Sequence, residues 1–575
     1  MVQTPWCRRS TGYTENWLGV NDSLSAKLNR KHLHNASIRH SGIDPESLTC
    51  LVIQNSLFCR IDTIARFIQF WKCLNRLVNV LNTICGDQLR WTFNLRHSLR
   101  CSLYCVLLSV VFLAADVSVS SSADYQQVAG LMDLRTTFSD GAYDLDQLVL
   151  LAKQKGFNVL FINDHDRVAM EYGLPPFRNL IRKKVELNSI NSGGADKFIQ
   201  AINEVRQKYP DMIIVPGSET AAFYYWTGSP LKRTLTANDH EKRILTVGME
   251  NPDDYENLPI LHNSLPMNYI PAALPEVVLF SLSLIASLIL LRWRGPLRVT
   301  GIILSILSIA FIVNSNPFKS SPFDPYHGYQ KMAPYQLVID YVNARGGMTF
   351  WNYPETKSGV REMGPIHVST LPYPYVLAES TGYTGFAAIY GDNVTLTEPG
   401  NIWDTTLKEY CMGYRDRPPW GIATGDFHEE GEGGDQLGTY QTVFLVEQKT
   451  KDAVLKALKT GRMYACQVNY PQVLRLEDFS ISSADERIKG ISGDEITLKE
   501  YPRIRISIST SVPSPDKVKI RLIRSGETIY LFEEKLPLMI DYVDPYYKPG
   551  ERVYYRMDLH GNGTIVSNPV FVKFE

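Results

Sequence analysis

Cysteine is scarce where a fold would need it. The chain of 575 residues holds nine, and seven lie at or before Cys105, leaving only Cys411 and Cys466 in the remainder. No Cys-x-x-Cys pair occurs, which argues against a structural zinc site. Two isolated cysteines can pair in an oxidising compartment, but more often they are buried thiols. Net charge is also missing: at -1 the chain has no electrostatic footprint for nucleic acid. It does not lack apolar residues, at 44%, or aromatics, at 11%, so it can bury sizeable cores. Its length suggests about two to four domains.

Residues 1–95 show little organisation beyond one amphipathic run from Ile61 to Leu81. That run fits helical spacing, as a cytoplasmic helix or as sequence upstream of the true start, and the second is favoured. Residues 96–123 are clearer. Arg96 and Arg100 flank an apolar core from Leu103 to Ala115, and a small-residue exit runs from Ser118 to Ala123. This is the layout of a signal peptide or signal anchor.

From Gly130 strands and helices alternate. Leu131–Phe138 reads as a strand, Leu145–Lys155 as a helix stopped by Gly156, and Asn158–Asn163 as a strand. A helix at Ala195–Tyr209 and strands at Met212–Val215 and Arg243–Gly248 follow. The pattern then breaks. Val277–Leu291 and Val299–Val313 are almost wholly apolar, and Arg292, Arg294 and Arg298 lie between them. A short positive loop between two such runs is the signature of a cytoplasmic hairpin tip. A basic flank at Arg96 and an arginine tip place both flanking globular halves on the same, extracytoplasmic side.

The alternation resumes with a helix at Tyr335–Asn343 and strands at Met348–Tyr353, Phe386–Tyr390 and Gly421–Gly425, and it ends with Thr442–Val446 and Lys451–Thr460. Repeated strand–helix units with polar residues at the strand ends predict a parallel α/β barrel with its site at that face. Beyond Pro471 helical spacing disappears, and alternation at Arg503–Ile508, Val518–Ile523 and Val553–Met557 predicts an antiparallel β-sandwich. The expected organisation is 124–270 as the first half of the barrel, 271–316 as a transmembrane hairpin, 317–470 as the second half, and 471–575 as the sandwich.

The polar strand ends supply Asp140, His165 (with Asp164 and Asp166), Glu219, Asp426 and His428. Carboxylates and imidazoles gathered at one end of a barrel need a cation to offset repulsion and desolvation. A metal that activates water or holds a phosphate is the natural candidate.

Four ordered stretches resemble the motifs of the PHP (polymerase and histidinol phosphatase) superfamily. They are Thr136–Gly141, Ile162–Asp166, Val215–Glu219 and Ala423–His428. Lys456–Ala465 and the end from Tyr555-Arg556 to Ser567-Asn568-Pro569 resemble its CehA/McbA-like metallohydrolase branch. The resemblance implies a distorted seven-stranded barrel. It also implies a two- or three-metal centre of zinc, manganese or iron that hydrolyses phosphoesters or related esters and carbamates. By the family's pattern Asp140, His165 and His428 form one metal position, and Glu219 and Asp426, with Asp133, are what remains of the others.

The departures are specific. The family's opening His-x-His stands here as Asp133-Leu134-Arg135, a further His as Arg243, and its His-Pro as Tyr353-Pro354. Arginine has no lone pair to offer a metal, so fewer than three ions are expected. Two readings of Arg135 and Arg243 stand side by side: they replace the charge of lost metals, steadying the remaining carboxylates or gripping an anionic substrate group, or they merely pair with Asp426 and Glu219 in a decayed site. In the first, Arg135 is an oxyanion or phosphate clamp and Asp426 the base or second ligand. His240, close to Arg243, is a secondary candidate for the missing imidazole, although Asn238–Glu241 reads as an exposed loop. Two functions follow: a membrane-anchored, externally facing phosphoesterase acting on a small anionic or ester substrate, or a catalytically inactive binding or scaffold module with a remnant site.

Overall fold

The computed structural model describes residues 125–263, 274–315, 323–392, 394–431, 436–513 and 516–575. The amphipathic run at 61–81 and the export segment at 96–123 lie outside them. The described chain begins with β1 (Gln126–Leu134), β2 (Val159–Ile162), β3 (Val168–Gly173), β4 (Arg182–Leu187), β5 (Ile213–Thr220), β6 (Tyr225–Thr227), β7 (Thr236–Asn238) and β8 (Arg243–Val247). After two apolar helices come β9 (Met348–Asn352), β10 (Gly359–Met363), β11 (Ile366–Thr370), β12 (Gly385–Ile389), β13 (Trp420–Ala423), β14 (Tyr440–Val446) and β15 (Met463–Gln467).

Seven of these strands form a curled mixed sheet in the order β13-β12-β9-β8-β5-β2-β1. Every residue of β2, β9, β12 and β13 is buried, as expected of strands covered on both faces. The chain leaving β13 curls back onto β1: the Gly425 N–H donates to the Met132 carbonyl at 3.1 Å, and Phe427 bridges to Leu134.

The expectation of an all-parallel barrel is corrected at β8, which runs antiparallel to both β5 and β9. Only β6 and β7 lie between β5 and β8 in the chain, and a parallel return would need a longer crossover, usually a helix. Two boundaries also shift. β1 ends at Leu134, so Arg135 to Phe138 form the turn beyond it, and β5 continues through Glu219 rather than stopping at Val215.

Beyond Pro471, Leu474–Ser482 and Arg503–Thr510 anchor a four-stranded antiparallel sheet. A second layer, built on Lys517–Arg524, Arg552–Gly561 and Gly563–Ser567, is hydrogen-bonded to the first region, because Gly563–Ser567 pairs with β15. One pairing departs from the antiparallel reading: Glu495–Leu498 runs parallel to Val570–Phe574. Cys411 and Cys466 are both free thiols, and burial pushes each up to about 12.

The two apolar helices, α1 (Leu274–Leu290) and α2 (Pro296–Ser315), pack against each other with small residues inward. Ser287 and Ser305 share a hydroxyl contact at 2.8 Å, and Ser308 donates to Ser283 at 2.9 Å. A Cβ on Gly301 would sit 3.0 Å from the Ser287 carbonyl, so glycine permits the close approach. Leu279, Leu282, Ile303 and Ile306 face outward, exposed. Small polar residues inside and large apolar ones outside is the reverse of a water-soluble helix pair, and is the arrangement that suits lipid. Among the described residues α2 is the one helix long and apolar enough to cross a membrane; α1, at 17 residues, is shorter.

Candidate functional site

The site gathers where the ends of β1, β2, β5 and β9 meet the loop after β13. Three of its residues hold left-handed backbone without being glycine: Asp133 at φ 67°, Tyr353 at 48° and Asp426 at 45°. Such conformations cost of order 1–3 kcal/mol each and persist only where surrounding bonds impose them. The Phe427 N–H donates to the Asp133 carbonyl and the Arg135 N–H to the Phe427 carbonyl, at 3.1 and 3.0 Å. These bonds lock the first and last strands' ends together. Asp426 and His428 therefore converge through a turn, not through the alternation of a strand.

Arg135 is fully buried at the centre of a carboxylate cluster. Its guanidinium lies 2.8 Å from Asp133 Oδ1, 2.8 Å from Glu219 Oε2 and 3.3 Å from Asp426 Oδ1, and it also donates to the Asn163 carbonyl. Asn352 completes the cluster by donating from Nδ2 to Asp133 Oδ2 and Glu219 Oε1, both at 2.9 Å. The Tyr353 hydroxyl donates to Asp133 Oδ2. Burial pushes the Asp133 carboxyl up against the opposing pull of Arg135. Burial also acts on Glu219, but Arg135 and Arg243 overcome it and hold that carboxyl below its usual range.

The second cluster is Asp140, His165 and His428. Asp140 Oδ2 lies 3.3 Å from the Nε2 of each imidazole. Its turn depends on Gly141, where a Cβ would fall 2.5 Å from the Arg135 carbonyl. Asp164 fixes the same turn from β2, accepting from the Thr136 N–H at 2.7 Å, the Thr136 hydroxyl at 2.7 Å and the Ser139 hydroxyl at 2.6 Å.

Both imidazoles are held from behind. His428 Nδ1 lies 2.7 Å from the Asp426 carbonyl, which can only accept, so Nδ1 carries the proton. His165 Nδ1 lies 3.2 Å from Glu219 Oε2. With Nδ1 protonated, a neutral ring presents the Nε2 lone pair to an anionic oxygen, which is repulsive unless a proton or another cation lies between them. Burial opposes the charge on His428, but Asp426 and Asp140 push its pKa up to about 9. His165 likewise rises, against burial and Arg135, through its bonds to Asp140 and Glu219.

Every strand-end residue expected from the sequence thus enters the site, in two clusters that share Glu219 and Asp426. Asp166 is fully buried beside them, and burial lifts its carboxyl to about 7. Asn352 was not legible as a site residue, since a lone amide after an apolar run carries no motif; Thr424, within the Ala423–His428 stretch but not singled out there, donates its hydroxyl to Asn352 Oδ1 at 3.2 Å. Among the described residues, no group of three or more His, Cys, Asp and Glu side chains stands arranged as a ready-made metal cage.

Arg243 borders the site, 3.7 Å from Glu219 and 3.5 Å from His165 Nδ1. It lines a recess with Arg167, Tyr224, His240 and His262. His240, expected on an exposed loop, is buried in that recess. Its ring centroid lies 5.7 Å from that of Tyr224, and it takes no place between Asp140, His165 and His428.

No protein-family model matches the chain, and no curated protein matches its sequence. Among solved structures, one similar chain is a two-domain protein from Bacteroides vulgatus described as containing a predicted PHP-like metal-dependent phosphoesterase. The identity is 11%, the match covers 75% of this chain and 91% of that one, and the TM-score is 0.31. Another is a candidate metal-dependent phosphoesterase of Bifidobacterium adolescentis, at 17% identity, 54% and 90% coverage and a TM-score of 0.24. These scores are low, and the assignment of function rests on the residues of the site.

Proposed function

We propose that the chain is a membrane-anchored, PHP-like metal-dependent hydrolase of small phosphate or related esters, with a reduced metal centre. One observation carries this reading: two imidazoles, each fixed through Nδ1, direct Nε2 at the same Asp140 oxygen. Imidazole held by a carboxylate or carbonyl from behind is the usual support of a metal-ligating His.

The donor chemistry fits one divalent ion, zinc, manganese or iron, held by Asp140, His165 and His428. It does not fit a full multinuclear centre, because the Arg135 guanidinium fills the space among Asp133, Glu219 and Asp426. When bound, the ion would supply a Lewis acid and lower the pKa of water. The chain does the rest. Arg135 neutralises the carboxylates that would otherwise repel an anionic substrate. Buried and committed to them, it leaves the clamp role to Arg243, which opens on the recess and can donate to a phosphate. Asp426, about one-third exposed, is the carboxylate able to accept a proton from attacking water.

The reversed polarity of the α1–α2 pair supports a membrane hairpin, with the arginine loop cytoplasmic and the globular regions extracytoplasmic. A non-catalytic binding module is the second reading, and the Arg135 guanidinium standing among Asp133, Glu219 and Asp426 favours it. Hydrolysis of a generic aryl phosphate by the purified protein supplied with manganese or zinc separates the two. Turnover abolished by Asp140→Asn supports the enzyme; no turnover with either metal supports the binding module.

A further inference from the structure

The β3–β4 ribbon leaves the site at Arg167 and ends in a tip, residues 174–181, that seats against the far end of α2. The Phe177 and Phe311 rings lie 4.9 Å apart, and Phe311 stacks in turn on Phe280 of α1 at 4.6 Å. Asn179 donates two hydrogen bonds to Asn314: its N–H to Asn314 Oδ1 at 2.9 Å, and its Nδ2 to the Asn314 carbonyl.

The ribbon's two faces differ. On one, Arg182 pairs with Glu171 and Lys184 with Glu186, each at 2.7 Å. These charges are satisfied within the ribbon. The other face of β4 carries Lys183 and Val185 by strand alternation, with Ile181 just before it, and Ile181 and Val185 are 54% and 48% exposed. At the tip, Leu174 and Leu180 are 48% and 45% exposed. A soluble hairpin has no reason to spread large aliphatic side chains around a single lysine, whereas a surface lying on lipid does, because lysine reaches up to a phosphate while its stem stays apolar.

We propose that the β3–β4 tip is a membrane wedge, inserted among the acyl chains and headgroups of the leaflet beside the hairpin. This rests on the membrane reading of α1 and α2. Position supports it: Phe177 packs on Phe311 in the C-terminal half of α2, so the tip lies beside the hairpin and not out in water. The six-residue strands, about 20 Å long, then make a strut from the membrane to Arg167 at the edge of the site.

The test is photocrosslinking of the full chain in vesicles of phosphatidylcholine and phosphatidylglycerol carrying a radiolabelled phospholipid. Leu180→p-benzoylphenylalanine is compared with the same substitution at Leu282, on the outer face of α1, and at Leu231, which is 95% exposed outside the ribbon. The wedge predicts lipid adducts at positions 180 and 282 and none at 231. An adduct at 282 without one at 180 overturns the wedge and leaves the hairpin standing. No adduct at either overturns the membrane reading itself.

Discussion

Arg135 Nη2 lies 2.8 Å from Glu219 Oε2 in a fully buried pair, and the same guanidinium also faces Asp133 and Asp426. A protein-supplied cation thus holds three carboxylates together. Removing one partner of a buried ion cluster strands the others, at a cost of about 3–5 kcal/mol. Arg135→Ala is expected to lower stability by that amount in chemical denaturation. If the guanidinium stands in for metal, millimolar manganese should recover part of the loss in the variant. An Arg135→Ala protein as stable as wild type would refute the role.

The closing asparagine of the chain's last motif pins the strand that leads to His428. Asn568 Oδ1 accepts from the Gly421 N–H at 2.7 Å, while its Nδ2 donates to the Gly421 and Met463 carbonyls at 3.0 and 3.1 Å. Asn568→Ala leaves these groups buried and unpaired, with an expected loss of about 1–3 kcal/mol. Amide exchange should rise at Gly421 and Ile422 more than in β2. Unchanged protection there would show that the asparagine has no part in holding β13.

Acid stability should report the recess. Burial, with Arg243 close by, holds His240 down to about 3, and burial does the same to His262 with Lys184 and Arg167. Between the ordinary value of 6.5 and about 3 the unfolded chain takes up protons that the folded chain refuses. Their contribution is therefore complete above 6.5 and is lost as pH falls through that window. Urea midpoints measured from pH 7 to pH 4 should fall less steeply in His240→Gln than in wild type. Equal slopes would mean that this imidazole does not titrate as described.

The topology has an independent check. An alkaline phosphatase fusion within Arg292–Arg298 should be inactive, as a cytoplasmic enzyme, and one after Glu575 should be active. The reverse pattern would remove the case for an extracytoplasmic site.

Much of this was legible in the sequence because it is local. The helix at Leu145–Gln154 follows from its amphipathic spacing and the Gly156 stop, and the four motif stretches converge even though the ends of β1 and β5 shift by several residues. What escaped was long-range. Strand direction at β8 depends on which neighbour the chain returns to, and nothing in Arg243–Val247 encodes that. The sequence left Arg135 open between a substrate clamp and a partner of Asp426 and Glu219, because its burial depends on Asp133, Glu219 and Asp426 arriving from three different elements. Asn352 joins Asp133 to Glu219 across 219 and 133 residues of sequence, a separation that no local pattern reveals.

In the proposed centre Asp140, His165 and His428 hold one divalent ion while Arg135 takes the place of others. Metal content of the purified protein, measured for wild type and His428→Ala after dialysis against manganese or zinc, tests it directly. One ion per chain is expected in wild type and none in the variant. Two or three ions in wild type, or the same metal content in both proteins, would contradict it.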